Sequence, residues 1–282
     1  MTISICICGA GTMGSGIAQV SAQSGFDTIL FDLNETVLAN AQISVQKNLQ
    51  YLVDKNKITP KEKEKIFSRI QFTSDIKNCT AFIIIEAIIE KEDAKISLFN
   101  ELAKYNNEEV IFATNTSSLS VSFMQQKIIF PERVVGMHFF NPAYIMRLVE
   151  VVKGRETNDE VAKTIFDICK QMGKIPVMCK DAPGFIVNRI ARHYYLESLK
   201  IVDEGVASYE EVDEILEGSG FKMGPFRLMD LIGMDINLAV TKSIYDAYDK
   251  APRFKPSAIQ IEKVKNNKLG KKTGKGFYNY NK

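Results

Sequence analysis

The sequence predicts an α/β, doubly wound N-terminal domain followed by an all-α C-terminal domain, and three observations carry that reading. Short β-rich runs alternate with helical patterns through the first 183 residues, the arrangement of a parallel sheet covered by helices on both faces. A glycine-rich turn joins the first of those strands to the first helix. Beyond Pro183 the strand pattern stops, and helical periodicity continues until the tail. At 282 residues the chain exceeds the usual single-domain size, which fits domains at 1–183 and 184–282.

Taken in order, residues 3–8 read as a strand, followed by the glycine turn and a helix to about Ser24. Residues 28–32 form a second strand, and a long polar helical region covers 34–67. That region breaks near Thr59-Pro60, because proline suits the first turn of a new helix. Apolar runs at 81–86, 110–114, 134–138 and 148–152 resemble buried strands; a helix to Met172 and a further run at 175–179 complete the first half. The pattern changes at Lys180-Asp181-Ala182-Pro183-Gly184. Residues 188–204 and 209–218 then read as helices, with Ser208 and Glu211 at the spacing of a capping box. More helix is expected across 225–247 and 257–266.

Composition narrows the function classes. Hydrophobic residues make up 45% and charged residues 25%, ordinary for a soluble globular chain, and a net charge of +2 gives no argument for nucleic acid or a membrane surface as partner. No run approaches the ~20 apolar residues that a membrane span needs. The N-terminus runs straight into Gly9 and reads as a strand rather than a signal peptide. Five cysteines, Cys6, Cys8, Cys79, Cys169 and Cys179, are widely spread and match no zinc-ligand spacing, so no metal is expected. Cys6 and Cys8, two apart on a strand, point to one face as small buried hydrophobes would. The set favours a reducing, cytoplasmic compartment without structural disulfides.

Gly9-Ala10-Gly11-Thr12-Met13-Gly14 fits G-x-G-x-x-G between a strand and a helix, the context of a Rossmann-type dinucleotide site. The first glycine allows the tight turn, the second lets a pyrophosphate approach the backbone, and the third lets helix and strand pack closely. Asp32 ends the second strand, where a carboxylate accepts hydrogen bonds from ribose hydroxyls. Its charge would repel a 2′-phosphate, and no arginine or lysine follows through Thr36, so NAD is preferred over NADP. The plainer alternative is a packing turn with Asp32 as a strand-end cap.

The chain has two histidines. His138 lies at the carboxyl end of a strand run, the edge where doubly wound sheets bind ligands. Glu150 sits inside the apolar run Leu148-Val149-Glu150-Val151-Val152, where a carboxylate is costly without a partner. An imidazole paired to a carboxylate is the base that alcohol oxidation needs as hydride leaves. A satisfied structural histidine remains the competing reading on these grounds alone. His193, on a helix of the second half, reads as structural.

These residues fall into a familiar order. The sequence resembles the short-chain L-3-hydroxyacyl-CoA dehydrogenase family over essentially its whole length. The matching segments are residues 9–18, Glu86-Ala87-Ile88-Ile89-Glu90, Thr114-Asn115-Thr116-Ser117-Ser118-Leu119, residues 137–142, 148–152 and 181–189, and Lys272-Thr273-Gly274-Lys275-Gly276-Phe277-Tyr278. The resemblance implies NAD-dependent oxidation of a (3S)-3-hydroxyacyl-CoA thioester, 3-hydroxybutanoyl-CoA or another short chain, or the reverse reduction, in fatty-acid and butanoate metabolism. It implies His138 as base and Glu150 as its partner, with the hydroxyl of Ser117 and the amide of Asn188 against the substrate's oxygens. It also implies contacts of Glu90, Lys95 and Asn115 near the nicotinamide half of the cofactor, and a homodimer made through the helical domain.

Read from the residues alone, Ser117 could merely cap a helix, Asn188 could face solvent, and residues 90–95 look like a solvated helix start. Coenzyme A carries phosphates, and the resemblance places it near the arm after the second strand, which makes Lys47, Lys55 and Lys57 candidate contacts. Interleaved Asp54, Glu62 and Glu64 equally describe an ordinary exposed helix. The tail at 270–276 lacks the spacing of a phosphate loop and reads as a packed terminal loop. Tyr144 and Arg147 depart from the commonest pattern of the family, as does Arg192-His193-Tyr194-Tyr195, and these bear on acyl chain length. A free 3-hydroxy-acid or sugar-acid dehydrogenase is the alternative activity, and a binding protein without turnover the alternative class.

Overall fold

In the computed structural model, which describes residues 3–281, the alternation of the first half becomes one eight-stranded sheet. Its strands are β1 (Ser4–Cys8), β2 (Asp27–Phe31), β3 (Ile70–Thr73), β4 (Ile83–Glu86), β5 (Ile111–Thr114), β6 (Val134–Phe139), β7 (Leu148–Lys153) and β8 (Ile175–Lys180). They lie in the order β3-β2-β1-β4-β5-β6-β7-β8. Strand order reverses at β1 and β4, which creates the crevice used by ligands of doubly wound sheets. The helices of this half are α1 (Thr12–Gln23), α2 (Glu35–Asp54), α3 (Pro60–Phe67), α4 (Glu92–Leu102), α5 (Val121–Gln125) and α6 (Asp159–Gln171).

The local causes are legible. α1 starts at a glycine cap and is almost wholly buried from Gly14 to Ala22, packed on Ile5 and Ile7 of β1. Thr59 caps α3 reciprocally with Glu62 and Pro60 sits in its first turn, which ends α2 and begins a new helix as the sequence predicts. α6 buries Val161, Ala162, Ile165, Ile168 and Cys169, one stripe of an amphipathic helix.

Two features of the sheet depart from expectation. β3 has only four residues, too few to show a period, and goes unseen in the sequence. β7 runs antiparallel to β6, because residues 140–147 are fewer than the dozen or so that a parallel crossover needs. β8 then pairs in parallel with β7.

The chain divides into two units, Met1–Ala182 and Pro183–Lys282. The second contains α7 (Val187–Asp203), α8 (Tyr209–Gly218), α9 (Pro225–Ile232), α10 (Met234–Ala247) and α11 (Ala258–Lys265). The expected helix over 225–247 is two helices, parted at Gly233, whose φ of 102° the α-helix does not accommodate. Tyr195, Leu199, Val212, Phe226, Met229, Met234 and Phe277 form this unit's core. The tail is a packed loop. Asp230, buried, accepts the N–H groups of Phe277 and Tyr278 at 3.0 and 2.9 Å, and Asp213 accepts the Tyr278 hydroxyl at 2.7 Å. His193 is exposed and its ring rests against Phe254, 5.2 Å between centroids, a packing role. No helix among the described residues is long and apolar enough to cross a membrane.

Candidate active site

The glycine turn leaves β1 at the edge of the sheet. Gly9 has φ 103°, and a Cβ there would meet Ala87 O at 2.6 Å. A Cβ on Gly14 would meet Gly9 O at 1.7 Å, so helix and turn close together only because that position carries no side chain. Around Gly11 a Cβ would meet nothing within 4 Å, and no side chain caps the first turn of α1. The orphan N–H groups of the turn spanning Thr12 and Met13 thus suit an anion brought against them.

Asp32 lies one residue beyond β2, not within it. Its Oδ2 accepts the Ala10 N–H at 2.8 Å and its Oδ1 accepts the Asn34 N–H at 3.0 Å. The carboxylate therefore ties the end of β2 to the glycine turn, and its negative charge sits at the mouth of that turn. The two readings of Asp32 are compatible, because each oxygen keeps a second lone pair.

His138 and Glu150 meet across the β6–β7 ladder. They are direct register partners, His138 Nδ1 stands 2.8 Å from Glu150 Oε2, and the side chains are 7% and 1% exposed. The antiparallel course of β7 makes this pair. Opposed residues of an antiparallel pair place side chains on the same face within contact distance. Nδ1–H donates to the carboxylate, which fixes the tautomer with its acceptor lone pair on Nε2. β1, β4, β5 and β6 are adjacent and parallel, so the glycine turn and His138 share one sheet edge, three strand spacings or about 14 Å apart.

No motif or spacing in the sequence points to Lys174. Nearly buried, it places Nζ 2.5 Å from Ala143 O and 2.9 Å from Met146 O, bracing the loop between the two strands that carry the pair. Burial pulls its ammonium below the usual lysine range. Tyr144 and Arg147 are exposed on that same loop, whereas Arg192 and Tyr195 are buried in the second unit.

In a second charged group, Lys95 departs from the reading of residues 90–95 as a solvated face, whereas Glu90, Lys91 and Asp93 are exposed. Lys95 is 1% exposed, with Nζ 2.6 Å from Glu86 Oε1 and 3.1 Å from Glu90 Oε2. Glu86, at the end of β4, also accepts the Thr114 hydroxyl at 2.7 Å and the Ile88 N–H at 2.8 Å. Burial raises its carboxyl, and Lys95 and Thr114 offset part of that. Glu90 Oε1 accepts from the Thr116 hydroxyl, the Ser117 N–H and the Ser118 hydroxyl at 2.5, 3.0 and 3.0 Å. Burial would raise Glu90, but Lys95 and these donors outweigh it and hold the carboxyl low.

Glu90 thus shapes the turn that carries Ser117, while Lys95 stands behind both carboxylates. Ser117 caps no helix: Ser120 caps α5. Asn115 accepts the Phe139 N–H on Oδ1 at 2.8 Å, joining this turn to the end of β6. Glu86, Thr114 and Thr116 belong to this buried polar cluster, a placement not singled out in the sequence. The available signal for Glu86 was an acid in an apolar strand run, the kind of clue that exposed Glu150.

Asn188 lies in the first turn of α7 in the second unit, half-buried, and its carbonyl accepts from Arg192 Nε at 3.3 Å. Lys47, Lys55 and Lys57 are exposed on α2 and just after it. The three thiols of Cys6, Cys8 and Cys79, far apart in the sequence and without zinc-ligand spacing, come together in the first unit.

Known proteins bear on this arrangement. Residues 4–182 match the family model of the 3-hydroxyacyl-CoA dehydrogenase NAD binding domain, and residues 184–280 that of the 3-hydroxyacyl-CoA dehydrogenase C-terminal domain. The chain is 42% identical over 278 residues to a 3-hydroxyadipyl-CoA dehydrogenase of Escherichia coli K12, covering 98% of this chain but 58% of that protein. It is 38% identical over 285 residues to the mitochondrial hydroxyacyl-coenzyme A dehydrogenase of Sus scrofa, covering 98% and 90%. The crystal structure of (S)-3-hydroxybutyryl-CoA dehydrogenase from Ralstonia eutropha superposes with a TM-score of 0.95 at 36% identity, over 100% of both chains. A NAD-binding sheet with a histidine–carboxylate pair on its cofactor edge, joined to the matching helical unit, leads to one conclusion: the chain belongs to the 3-hydroxyacyl-CoA dehydrogenase family.

Proposed function

We propose that this chain oxidises (3S)-3-hydroxyacyl-CoA thioesters with NAD, with 3-hydroxybutanoyl-CoA or another short chain as substrate. The observation that carries the reading is the buried His138–Glu150 pair, 2.8 Å apart on the cofactor edge of the sheet. His138 Nε2 takes the C3 hydroxyl proton, and Glu150 stabilises the imidazolium that forms. The bound nicotinamide supplies the hydride acceptor. The Ser117 hydroxyl and the Asn188 amide orient the substrate's oxygens. Gly9, Gly11, Thr12, Met13 and Gly14 hold the pyrophosphate, and Asp32 takes the ribose hydroxyls. Asn115 and Glu90 shape the nicotinamide end, with Lys95 fixing Glu90 from behind. Lys47, Lys55 and Lys57 offer exposed cations for the phosphates of coenzyme A.

The enzyme works in the cytoplasm as a homodimer, with no nucleic acid or membrane as partner. Free cysteines suit a reducing compartment, and the helical unit exposes Ile186, Ile190, Leu231, Ile232 and Ile236 as apolar surface for a second copy. The experiment follows NADH absorbance with acetoacetyl-CoA, longer 3-oxoacyl-CoAs, a dicarboxylic analogue and free acetoacetate. Turnover of a thioester with NADH, and little with the free acid, is expected. Turnover of the free acid alone would overturn the substrate class.

A further inference from the structure

Cys6 and Cys8 face the side of β1 opposite Ile5 and Ile7, which pack on α1. The residues between β3 and β4 cross that second face and bring Cys79 to it. Asn106 pins the crossing segment there, with Nδ2 2.9 Å from Cys79 O and Oδ1 3.0 Å from Ala81 N. All three thiols are 0% exposed, the Sγ atoms of Cys6 and Cys8 are 3.9 Å apart, and all three Sγ atoms lie within 4.8 Å of one another. No histidine or carboxylate among the described residues joins the group at that distance.

Cysteine often packs as a small hydrophobe, which accounts for each thiol singly. It does not account for the convergence of three from two segments far apart in the chain. Sulfurs about 2.3 Å from a central ion in one plane lie about 4.0 Å apart, so these need to close by less than about 1 Å. We propose that Cys6, Cys8 and Cys79 form a three-sulfur site for a thiophilic closed-shell metal ion, of the class of copper(I), zinc or cadmium.

Soft thiolates select such ions over hard ones, and three sulfurs without a fourth ligand favour those that accept low coordination numbers. Each sulfur that binds as thiolate forms a metal–sulfur bond and releases its proton to solvent, and no electrons move. Entry to so buried a site waits on local opening of the segment that carries Cys79. Cys8 immediately precedes Gly9, so an ion here lies on the strand that delivers the cofactor turn.

The test titrates the reduced full-length chain, without oxygen, separately with copper(I), zinc and cadmium against a competing chelator. We expect one ion per chain, with thiolate-to-metal charge-transfer absorbance for copper(I) and cadmium. Cys6→Ser, Cys8→Ser or Cys79→Ser should weaken binding at least ~100-fold, and Cys179→Ser should leave it unchanged. X-ray absorption on the loaded wild-type chain, which needs no variant to fold, should find three sulfur neighbours. No stoichiometric binding on prolonged incubation, a nitrogen and oxygen shell, or wild-type affinity in folded Cys79→Ser would overturn the site.

Discussion

Lys95 Nζ lies 2.6 Å from Glu86 Oε1, with the two side chains 1% and 0% exposed, directly beneath the turn that carries Ser117. One cation thereby serves two carboxylates, since Glu90 is 3.1 Å from the same nitrogen. Removing half of a buried pair forces the other half either to stay charged without solvation or to take up a proton, a loss of about 3–5 kcal/mol. Lys95→Met should lose stability on that scale near neutral pH. The sign with pH follows from Glu86, whose carboxyl burial already raises. Without Lys95 the folded state keeps Glu86 protonated while the unfolded chain ionises it above the ordinary carboxylate range. The deficit should therefore shrink as pH falls through that range, where both states hold the proton. Urea unfolding of both proteins between pH 4 and 8 measures it; a deficit independent of pH would mean that Glu86 is not the group left behind.

Asp32 is bonded to Ala10 N and Asn34 N, so its carboxylate is held at the glycine turn before any ligand arrives. Asp32→Ala should lower the NAD-to-NADP ratio of kcat/KM at least ~10-fold, because the charge that rejects a 2′-phosphate is gone. An unaltered ratio would assign cofactor choice to another residue.

Ser117 is set by Glu90 through its backbone N–H, and in the proposed mechanism its hydroxyl binds the substrate's oxygen. Ser117→Ala should reduce kcat/KM about 10-fold, the worth of a hydrogen bond to a group gaining charge, with the Kd for NAD unchanged. Equal losses in NAD affinity and turnover would point to collapse of the turn instead.

The first half of the fold was legible because its strands are continuous apolar runs and its helices carry their own start signals, as at Thr59-Pro60 and Gly11. β3 was not, because four residues are too few to show a period. The direction of β7 was hidden for a different reason: strand polarity depends on the length of the connection, and an apolar run reads the same either way. Glu150 and His138 could be chosen by chemistry, yet their contact is a matter of register. Lys95 misled because charge at a helix start ordinarily faces water, whereas here two acids from neighbouring segments enclose it. The meeting of Cys79 with Cys6 and Cys8 is tertiary and leaves no spacing to read.

In the proposed mechanism Glu150 lends its charge to the imidazolium and does not touch substrate. Glu150→Gln keeps the size and removes the charge. We expect kcat to fall by about 10-fold to 10³-fold, with a displaced pH dependence and little change in NAD affinity. An unchanged pH profile would remove Glu150 from proton transfer.

The central claim is that His138 takes the substrate's proton, and His138→Gln tests it most directly, with kcat and the Kd for NAD measured on the same preparation. The account predicts cofactor binding within about twofold of wild type and kcat lower by at least ~10²-fold, the scale of general-base catalysis. A variant that binds NAD and turns over at near-normal rate would contradict it.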